Sequence, residues 1–303
     1  MNKGEKKVSL WQDIVKNRSC YYFMSGFLIV FITFTIIPVV SAISLGFTYF
    51  NVLEPARFVG MENYINLFFR DSVFLTAVKN TLIFAAITGP VSYILCLILA
   101  WLINDLPPKL RAFVTLLCYA PSISGGAYFV WTIIFSNDPY GYANAFLFRL
   151  GLIDFPRRWL SEPDYMMGVC IIVLLWLSLG TSFLTFIAGL QGVDKTLYEA
   201  GAVDGIKNRY QELWFITLPQ IKPQLMFGAV MSITAAFNIG DVLVNLVGYP
   251  STDYAVHTVV NHMNDYGSTR FQMGYACAMA TVLFVVMISL NKLIQRLLRK
   301  VGT

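Results

Sequence analysis

The stretch EAGAVDGIKNRYQELWFITLP, residues 199–219, decides how the rest of the sequence is interpreted. It is a polar segment between two long apolar runs, as expected where one membrane helix ends and another begins. Its first part carries good helix formers, and Gly205 ends that helix, because glycine tolerates the left-handed conformation of a helix stop. An apolar-faced segment follows up to Pro219. The stretch therefore predicts a short helix lying across one membrane face, where a soluble partner would cover it.

The composition indicates a membrane protein. The 303 residues are 57% hydrophobic and 13% charged, whereas soluble domains contain about 25% charged residues. The five cysteines are scattered in or near apolar segments without paired metal spacing, which predicts buried apolar side chains and no disulfide framework. The net charge of +5 follows from where the cations lie and requires no nucleic acid partner.

Six apolar runs predict an all-α membrane protein with six transmembrane helices. About two thirds of the 22 Lys and Arg residues lie in the two tails, the 104–111 turn and the 191–221 loop. The positive-inside rule therefore places both termini in the cytosol, together with the short crosswise helix between spans 4 and 5. The predicted spans are 22–50, 73–103, 112–135, 166–190, 222–247 and 271–291, with a basic tail at 1–21, an extracytoplasmic loop at 51–71 and a second basic tail at 292–303.

The fifth predicted span carries a polar stripe. Thr234, Asn238, Asp241 and Asn245 are spaced four, three and four residues apart, which places them on one helix face. A charge in hydrocarbon costs at least about 2.5–3.5 kcal/mol, so Asp241 is expected to face a cavity or a partner. Such groups suit a path for a neutral polyhydroxyl solute, which must replace its water contacts, and Phe237 adds an aromatic face. The alternative is that the stripe only joins helices by hydrogen bonds.

Several short pieces of the chain resemble the permeases of ABC importers. Glu199-Ala200-Gly201, Asp204-Gly205 and ITLP at 216–219 are similar to the EAA loop of that family. The DG and ITLP pieces, and FVGMENY at 58–64, resemble its carbohydrate, maltose-permease-like branch, which has the MetI-like transmembrane fold. Gly201 stands where the family usually has a second Ala. Ten residues, 206–215, separate the DG and ITLP pieces, where the family usually has nine.

The resemblance implies an architecture and a set of partners. It implies a multi-pass protein of the cell membrane, with a five-helix permease core over 72–291 and the EAA loop at 191–221. It also implies a second permease subunit, two ATPase subunits and an extracytoplasmic solute-binding protein. The chain lacks the motif G-x-x-x-x-G-K-[ST], so ATP and Mg are expected on the ATPase subunits, with no cofactor, metal or catalytic residue here. The residues that would couple to the ATPase are Glu199, Ala200, Gly201, Asp204 and Gly205.

The resemblance further implies a carbohydrate path. Aligned on a shared Phe-Asn pair, the sugar-contacting positions of the family fall on Thr234, Phe237, Asn238 and Asp241. Residues before the EAA loop help line the same site in the family, and at a similar distance this chain has Ser178 and Thr181; Asn245 continues the stripe. The implied function is import of a sugar or oligosaccharide by alternating access, driven by ATP hydrolysis on separate subunits. The chain itself is then not an enzyme.

Two other classes of function remain as alternatives. An ion-coupled secondary transporter would use Asp241 as a proton-coupling carboxylate, but the internal repeats expected of that class are not evident in the sequence. A membrane enzyme would require a catalytic cluster, and none appears within the spans. His257 and His262, spaced i, i+5 in the loop at 248–270, match no usual metal pattern and are predicted to be solvated.

Overall fold

The computed structural model describes residues 17–298, and this part of the chain is predominantly helical. Residues 1–16 and 299–303, which contain most of one predicted basic tail and the end of the other, lie outside the described residues. The first rod consists of α1 (Arg18–Phe31), a π-helical turn (Ile32–Ile36) and α2 (Ile37–Leu45). A short antiparallel hairpin follows, β1 (Thr48–Tyr49) with β2 (Arg57–Phe58), and then α3 (Glu62–Phe69).

The helices that follow form the body of the bundle. They are α4 (Ser72–Asn104), α5 (Pro108–Ile123), α6 (Phe129–Ile134), α7 (Tyr142–Arg149), α8 (Pro163–Leu177), α9 (Thr181–Gln191), α10 (Lys195–Val203), α11 (Arg209–Glu212), a π-helical turn (Leu213–Thr217), α12 (Leu218–Gln220), α13 (Lys222–Phe237) and α14 (Gly240–Val247). A 3-10 turn (Thr252–Tyr254), α15 (Val259–Asn264), a π-helical turn (Asp265–Thr269) and α16 (Met273–Leu298) complete the described part.

Several of these helices are long and apolar enough to cross a membrane. Within residues 17–298 there are four such helical stretches, namely Arg18–Leu45, Ser72–Asn104, Pro163–Gln191 and Met273–Leu297, and the bent pair α13–α14 makes a fifth. The first of them joins α1 and α2, and the third joins α8 and α9. The remaining predicted span, 112–135, is divided between α5 and α6. Because α5 has only 16 residues, its length of about 24 Å falls short of the roughly 30 Å of hydrocarbon.

Three segments predicted as single spans contain a break. The helix over 112–135 stops at Ser124, whose backbone is extended, and the one over 166–190 stops at Gly180, whose backbone is not helical. The one over 222–247 is interrupted at Asn238 and Ile239, and its two halves meet at 42°. Each of these apolar runs continues across its break, so the sequence pattern predicts one helix where the structure has two.

α4 is the central helix of the bundle. Its C-terminal half packs Cys96 and Ala100 against Phe183 and Phe186 of α9 and against the start of α13. Gly228 of α13 makes this packing possible, because a Cβ there would lie 2.5 Å from the Phe186 ring. The first rod, by contrast, contacts the bundle mainly through α2 and α16, and none of its apolar window is buried within the chain. Lipid or another subunit must therefore cover it.

Gly274 is essential to the contact between the hairpin and α16. Its N–H donates to the Phe50 carbonyl at 3.1 Å, and a Cβ at this position would collide with the Thr48 carbonyl oxygen. We expect Gly274→Ala to lower the free energy of unfolding by about 1–3 kcal/mol through overpacking, measured as a lower melting temperature in detergent. Gly168→Ala on α8 is the control, because its Cβ meets open space and should stabilise the helix by up to about 1 kcal/mol. A melting temperature for Gly274→Ala equal to that of the unsubstituted protein would contradict this prediction.

Candidate functional site

The three helix breaks surround one cavity of about 370 Å³. Backbone that leaves the helical pattern at membrane depth is tolerated where it borders protein or a water-filled cavity. Small hydroxyl residues satisfy part of this backbone, since Ser122 donates to the Tyr119 carbonyl at 2.8 Å and Ser178 to the Leu175 carbonyl at 2.6 Å. The polar residues that line the cavity are Thr88, Ser92, Ser122, Ser124, Tyr128, Ser178, Ser232, Asn238, Asp241 and Asn245.

The cavity wall carries hydroxyl and amide groups on a largely apolar surface and is nearly neutral. Among its lining residues Asp241 is the one with a formal charge, and it lies in the first turn of α14. The Asn245 side chain donates to the Asp241 carbonyl at 2.7 Å, one turn further along. Hydroxyl and amide groups supply both donors and acceptors, so the wall can hydrogen-bond a solute whose own polar groups are mostly uncharged.

The structure brings together four of the seven residues predicted to line the solute path. Ser178, Asn238, Asp241 and Asn245 all border the cavity. The other three residues do not lie on its wall. Thr234 is exposed on α13 and donates to the Val230 carbonyl of its own helix at 2.9 Å, Thr181 is exposed at the start of α9, and Phe237 is only 2% exposed and belongs to the core.

The placement of Phe237 has a simple cause. It shares one buried helix face with Ile233 and Ala236, as the spacing of three to four residues requires. α13 ends directly after Phe237, so Asn238 lies in the break and Asp241 lies on α14, which runs in a different direction. The aromatic face expected beside the polar stripe is therefore absent at that position, and Tyr128, which follows the break after α5, is the aromatic residue on the wall.

Sequence analysis missed the contributions of α4 and α5. Thr88 and Ser92 flank the Gly89-Pro90 pair of α4, and Ser122 follows Pro121 in α5. Each is a small hydroxyl residue within two positions of a proline inside a predicted span. That combination is the signal that would have found them, because proline frees a backbone carbonyl that a nearby hydroxyl or water can satisfy.

The segment around Gly205 forms the short crosswise helix, α10, and a closed turn. The Asp194 side chain caps the start of α10 by accepting from the Thr196 N–H at 3.0 Å. At the other end the Ile206 N–H donates to the Gly201 carbonyl at 2.9 Å, and the Gly205 N–H donates to the Ala202 carbonyl at 3.4 Å. This pair of hydrogen bonds is the Schellman motif. Gly205 has φ of +94°, as that motif requires of the residue after the helix cap.

Most of the residues predicted to couple to an ATPase lie on the surface. Glu199, Ala200, Asp204 and Gly205 are exposed, whereas Gly201 is buried. A Cβ on Gly201 would lie 2.6 Å from the Cδ1 atom of Ile216. The glycine at this position therefore lets the ITLP piece pack directly on α10.

The additional residue between the DG and ITLP pieces coincides with a π-helical turn, Leu213–Thr217. A π turn holds one residue more than an α turn, so the extra length is taken up there. The turn is tied back to α10, because the hydroxyls of Tyr198 and Thr217 share a hydrogen bond at 2.9 Å and Thr217 donates to the Glu212 carbonyl at 3.2 Å.

The prediction that the two histidines are solvated is wrong. His257 is 1% exposed and His262 is 3% exposed. Nε2 of His257 and Nδ1 of His262 share a hydrogen bond at 3.1 Å, and Nε2 of His262 lies 3.0 Å from the Asp71 carboxylate. Tyr275 donates to the same carboxylate oxygen at 3.0 Å. Loop 248–270 thus folds back over the ends of α4 and α16.

Burial and hydrogen bonding shift the pKa values of this cluster. Burial lowers the pKa of His257 to about 4, and the neighbouring His262 adds to that effect against the opposing charges of Asp265 and Asp71. Burial alone would raise the pKa of Asp71, but the hydrogen bonds from His262, the Phe74 N–H and Tyr275 hold it below its usual value. At neutral pH this cluster therefore has His257 neutral and Asp71 ionised.

A bundle of apolar helices with breaks around a cavity that carries polar groups, and a short helix beside it, is typical of a membrane transport component. The family described as binding-protein-dependent transport system inner membrane component matches residues 11–302. The chain therefore belongs to this family and is an integral inner membrane protein.

Individual relatives agree with this assignment. The chain is 32% identical over 276 residues to the probable ABC transporter permease protein YesP of Bacillus subtilis (strain 168), covering 89% of this chain and 87% of the relative. It is 29% identical over 286 residues to the arabinooligosaccharides transport system permease protein AraP of the same organism, covering 93% and 90%. A chain of the bacterial alginate ABC transporter, solved in complex with an alginate pentasaccharide-bound periplasmic protein, has the same fold, with a TM-score of 0.77, 23% identity and coverage of 97% and 98%.

We expect the folded state to lose stability as the pH falls from about 6.5 to about 4. In that window an unfolded histidine takes up a proton that buried His257 cannot, so the loss is on the order of 2–3 kcal/mol. Melting temperatures in detergent at stepped pH measure it. His257→Gln should flatten this slope, whereas the control Asp253→Asn, an exposed site in the same loop, should keep it. An unchanged slope in His257→Gln would refute the role given to this histidine.

Proposed function

We propose that this chain is a permease subunit of an ABC importer that carries a sugar or oligosaccharide into the cytosol. The observation that carries the proposal is the cavity at the helix breaks, whose wall of hydroxyls, amides and one carboxylate suits a polyhydroxyl solute stripped of water. Membership of the binding-protein-dependent family supports the transport role. The arabinooligosaccharide transport system to which AraP belongs supports the class of solute.

The proposed topology has six spans with both termini and α10 in the cytosol. α5 and α6 together form the third span, which the break after Ile123 divides. The clustering of Lys and Arg in the tails, the 104–111 turn and the 191–221 loop supports this orientation. The histidine cluster and α7 then lie on the extracytoplasmic side.

The proposed partners are a second permease subunit, two ATPase subunits that bind ATP and Mg, and an extracytoplasmic solute-binding protein. The exposed side chains of α10 offer the ATPase a docking surface, and Val203 is 87% exposed there. The alginate transporter complex, which contains a periplasmic protein, supports a binding protein on the opposite face. This chain performs no catalysis in the proposal. Movement of α10 during the ATPase cycle opens the cavity alternately to the two sides.

Reconstitution tests the proposal directly. Proteoliposomes holding the chain with its co-expressed permease, ATPase and binding-protein partners are supplied with labelled arabino-oligosaccharides and other neutral oligosaccharides. We expect uptake to require ATP on the membrane face that carries the ATPase subunits. We also expect it to be unaffected by a proton ionophore. Uptake that follows a proton gradient without ATP would instead favour a secondary transporter using Asp241.

Gly205→Pro should uncouple ATP hydrolysis from uptake. Proline fixes φ near −65°, which is incompatible with the +94° of Gly205, so the turn behind α10 must rearrange while the helix itself remains. We expect the complex to assemble and hydrolyse ATP with uptake reduced about tenfold or more, because interface and coupling changes of about 1.4 kcal/mol already give that factor. Gly151→Pro is the control, since Gly151 has φ of +68° in the loop after α7, which the proposed topology places on the opposite membrane face from α10. Normal uptake by Gly205→Pro would contradict the role of this turn in coupling ATP hydrolysis to uptake.

Asp241→Leu should impair uptake without preventing assembly. Losing a charge-assisted hydrogen bond to the solute costs about 1.5–3 kcal/mol, which corresponds to roughly a ten- to hundredfold loss. Initial uptake rates and the ATPase rate without solute measure the two effects separately. Asp154→Leu, at an exposed carboxylate in the loop before α8, is the matched control. Equal uptake by both variants would reduce the polar stripe to a helix-packing feature.

A further inference from the structure

Arg209 joins the loop behind α10 to the end of α4. One guanidinium nitrogen, Nη2, lies 2.6 Å from the Asp105 carboxylate and donates to the Trp101 carbonyl at 2.9 Å. The guanidinium carbon lies 4.2 Å from the centre of the Trp101 ring, and Tyr210 packs on the same ring at 5.6 Å. The Asp105 carboxylate, the Trp101 carbonyl and the Trp101 ring thus hold the guanidinium in place.

The chain connects α10 to α9 before it and to α13 and α14 after it, but not directly to α4. From α10 it runs through α11 and the π turn into α13 and α14, which carry Ser232 and Asp241 of the wall. α4 supplies Ser92 to the cavity wall but lies far from α10 in sequence. A displacement of α10 therefore reaches α14 along the backbone, whereas it reaches α4 only through side-chain contacts.

The end of α4 is well suited to transmit such a displacement. From Ser92 to Trp101 the helix is uninterrupted, so a shift at Trp101 is carried about 14 Å to the cavity wall. Cys96 and Ala100, on this same stretch, are fully buried against α9. The stretch must therefore move as a unit with its end.

We propose that Arg209 is a positioning residue that transmits the movement of α10 to α4 and so to the Ser92 side of the cavity. The inference rests on the proposed function, because an ATPase must move α10. The ion pair alone is a weak link, since its side chains are 37% and 56% exposed and water screens such pairs. Stacking on the indole and the hydrogen bond to the backbone give the contact a fixed direction, which the planar guanidinium provides and a lysine ammonium does not.

The test measures the accessibility of the α4 and α14 parts of the cavity wall separately in the complete importer. Single reporter cysteines are placed at Ser92 on α4 and, in a second chain, at Asn245 on α14. Labelling by a membrane-impermeant maleimide is measured with and without Mg-ATP plus orthovanadate, which traps the ATPase. The reporter-free chain corrects for the native cysteines. Each reporter is combined with Arg209→Ala, Arg209→Lys and Asp105→Asn.

We expect the nucleotide-dependent change at Ser92→Cys to fall about two- to thirtyfold in Arg209→Ala, the range for residues along a coupling path. The change at Asn245→Cys should persist, because the backbone still connects α10 to α14. In Arg209→Lys and Asp105→Asn, the nucleotide-dependent change at Ser92→Cys should lie between that of the unsubstituted chain and that of Arg209→Ala. Asp105→Asn carries the test if Arg209→Ala does not assemble, since the Asp105 side chain is 56% exposed and is not needed for the core.

Two results would overturn this inference while leaving the proposed function intact. One is a full response of Ser92→Cys in Arg209→Ala. The other is an equal loss at both reporters, which would indicate a general structural role for Arg209. If neither reporter responds to trapping even with Arg209 present, the proposed ATP-driven function fails and the inference fails with it.

Discussion

The need of backbone polar groups for a partner inside the membrane determines where this protein places its cavity. A helix satisfies its own amides and carbonyls, and each break leaves some of them without a partner in the helix. The breaks after α5, after α8 and between α13 and α14 all face one space. Hydroxyls there serve twice, since Ser122 and Ser178 donate to backbone carbonyls of their own helices and also line the cavity. Polar groups thus reach the cavity at the interrupted helices as well as at Asp241.

The sequence pattern was sufficient for the helices as apolar units and for the helix stop at Gly205. Those features depend on local chemistry, namely hydropathy over about twenty residues and the left-handed backbone that glycine tolerates. The breaks depend instead on how neighbouring helices pack, and Asn238 looks like any other member of a helical stripe. Phe237 shows the same limit, because only the end of α13 directs it into the core rather than toward Asn238.

The histidine cluster shows what loop composition conceals. A loop of 23 residues containing Pro250, two histidines and several tyrosines suggests a solvated connection. In the structure the Asn80 side chain of α4 donates to the carbonyls of Tyr254 and His257 at 2.9 and 3.0 Å. The Asp71 carboxylate is hydrogen-bonded to His262. These partners lie more than 170 positions away in the sequence, so no local pattern contains the information. Their effect is to hold the loop against the first part of α4.

Gly201 and the π turn have a consequence for exchanging parts between related proteins. The glycine makes room for Ile216, and the π turn at Leu213–Thr217 absorbs the longer spacer that brings Ile216 there. An alanine at 201 with this spacer would crowd the isoleucine, and a shorter spacer would leave the glycine uncovered. A chimera that replaces α10 must therefore transplant everything from Lys195 to Pro219 as a single segment.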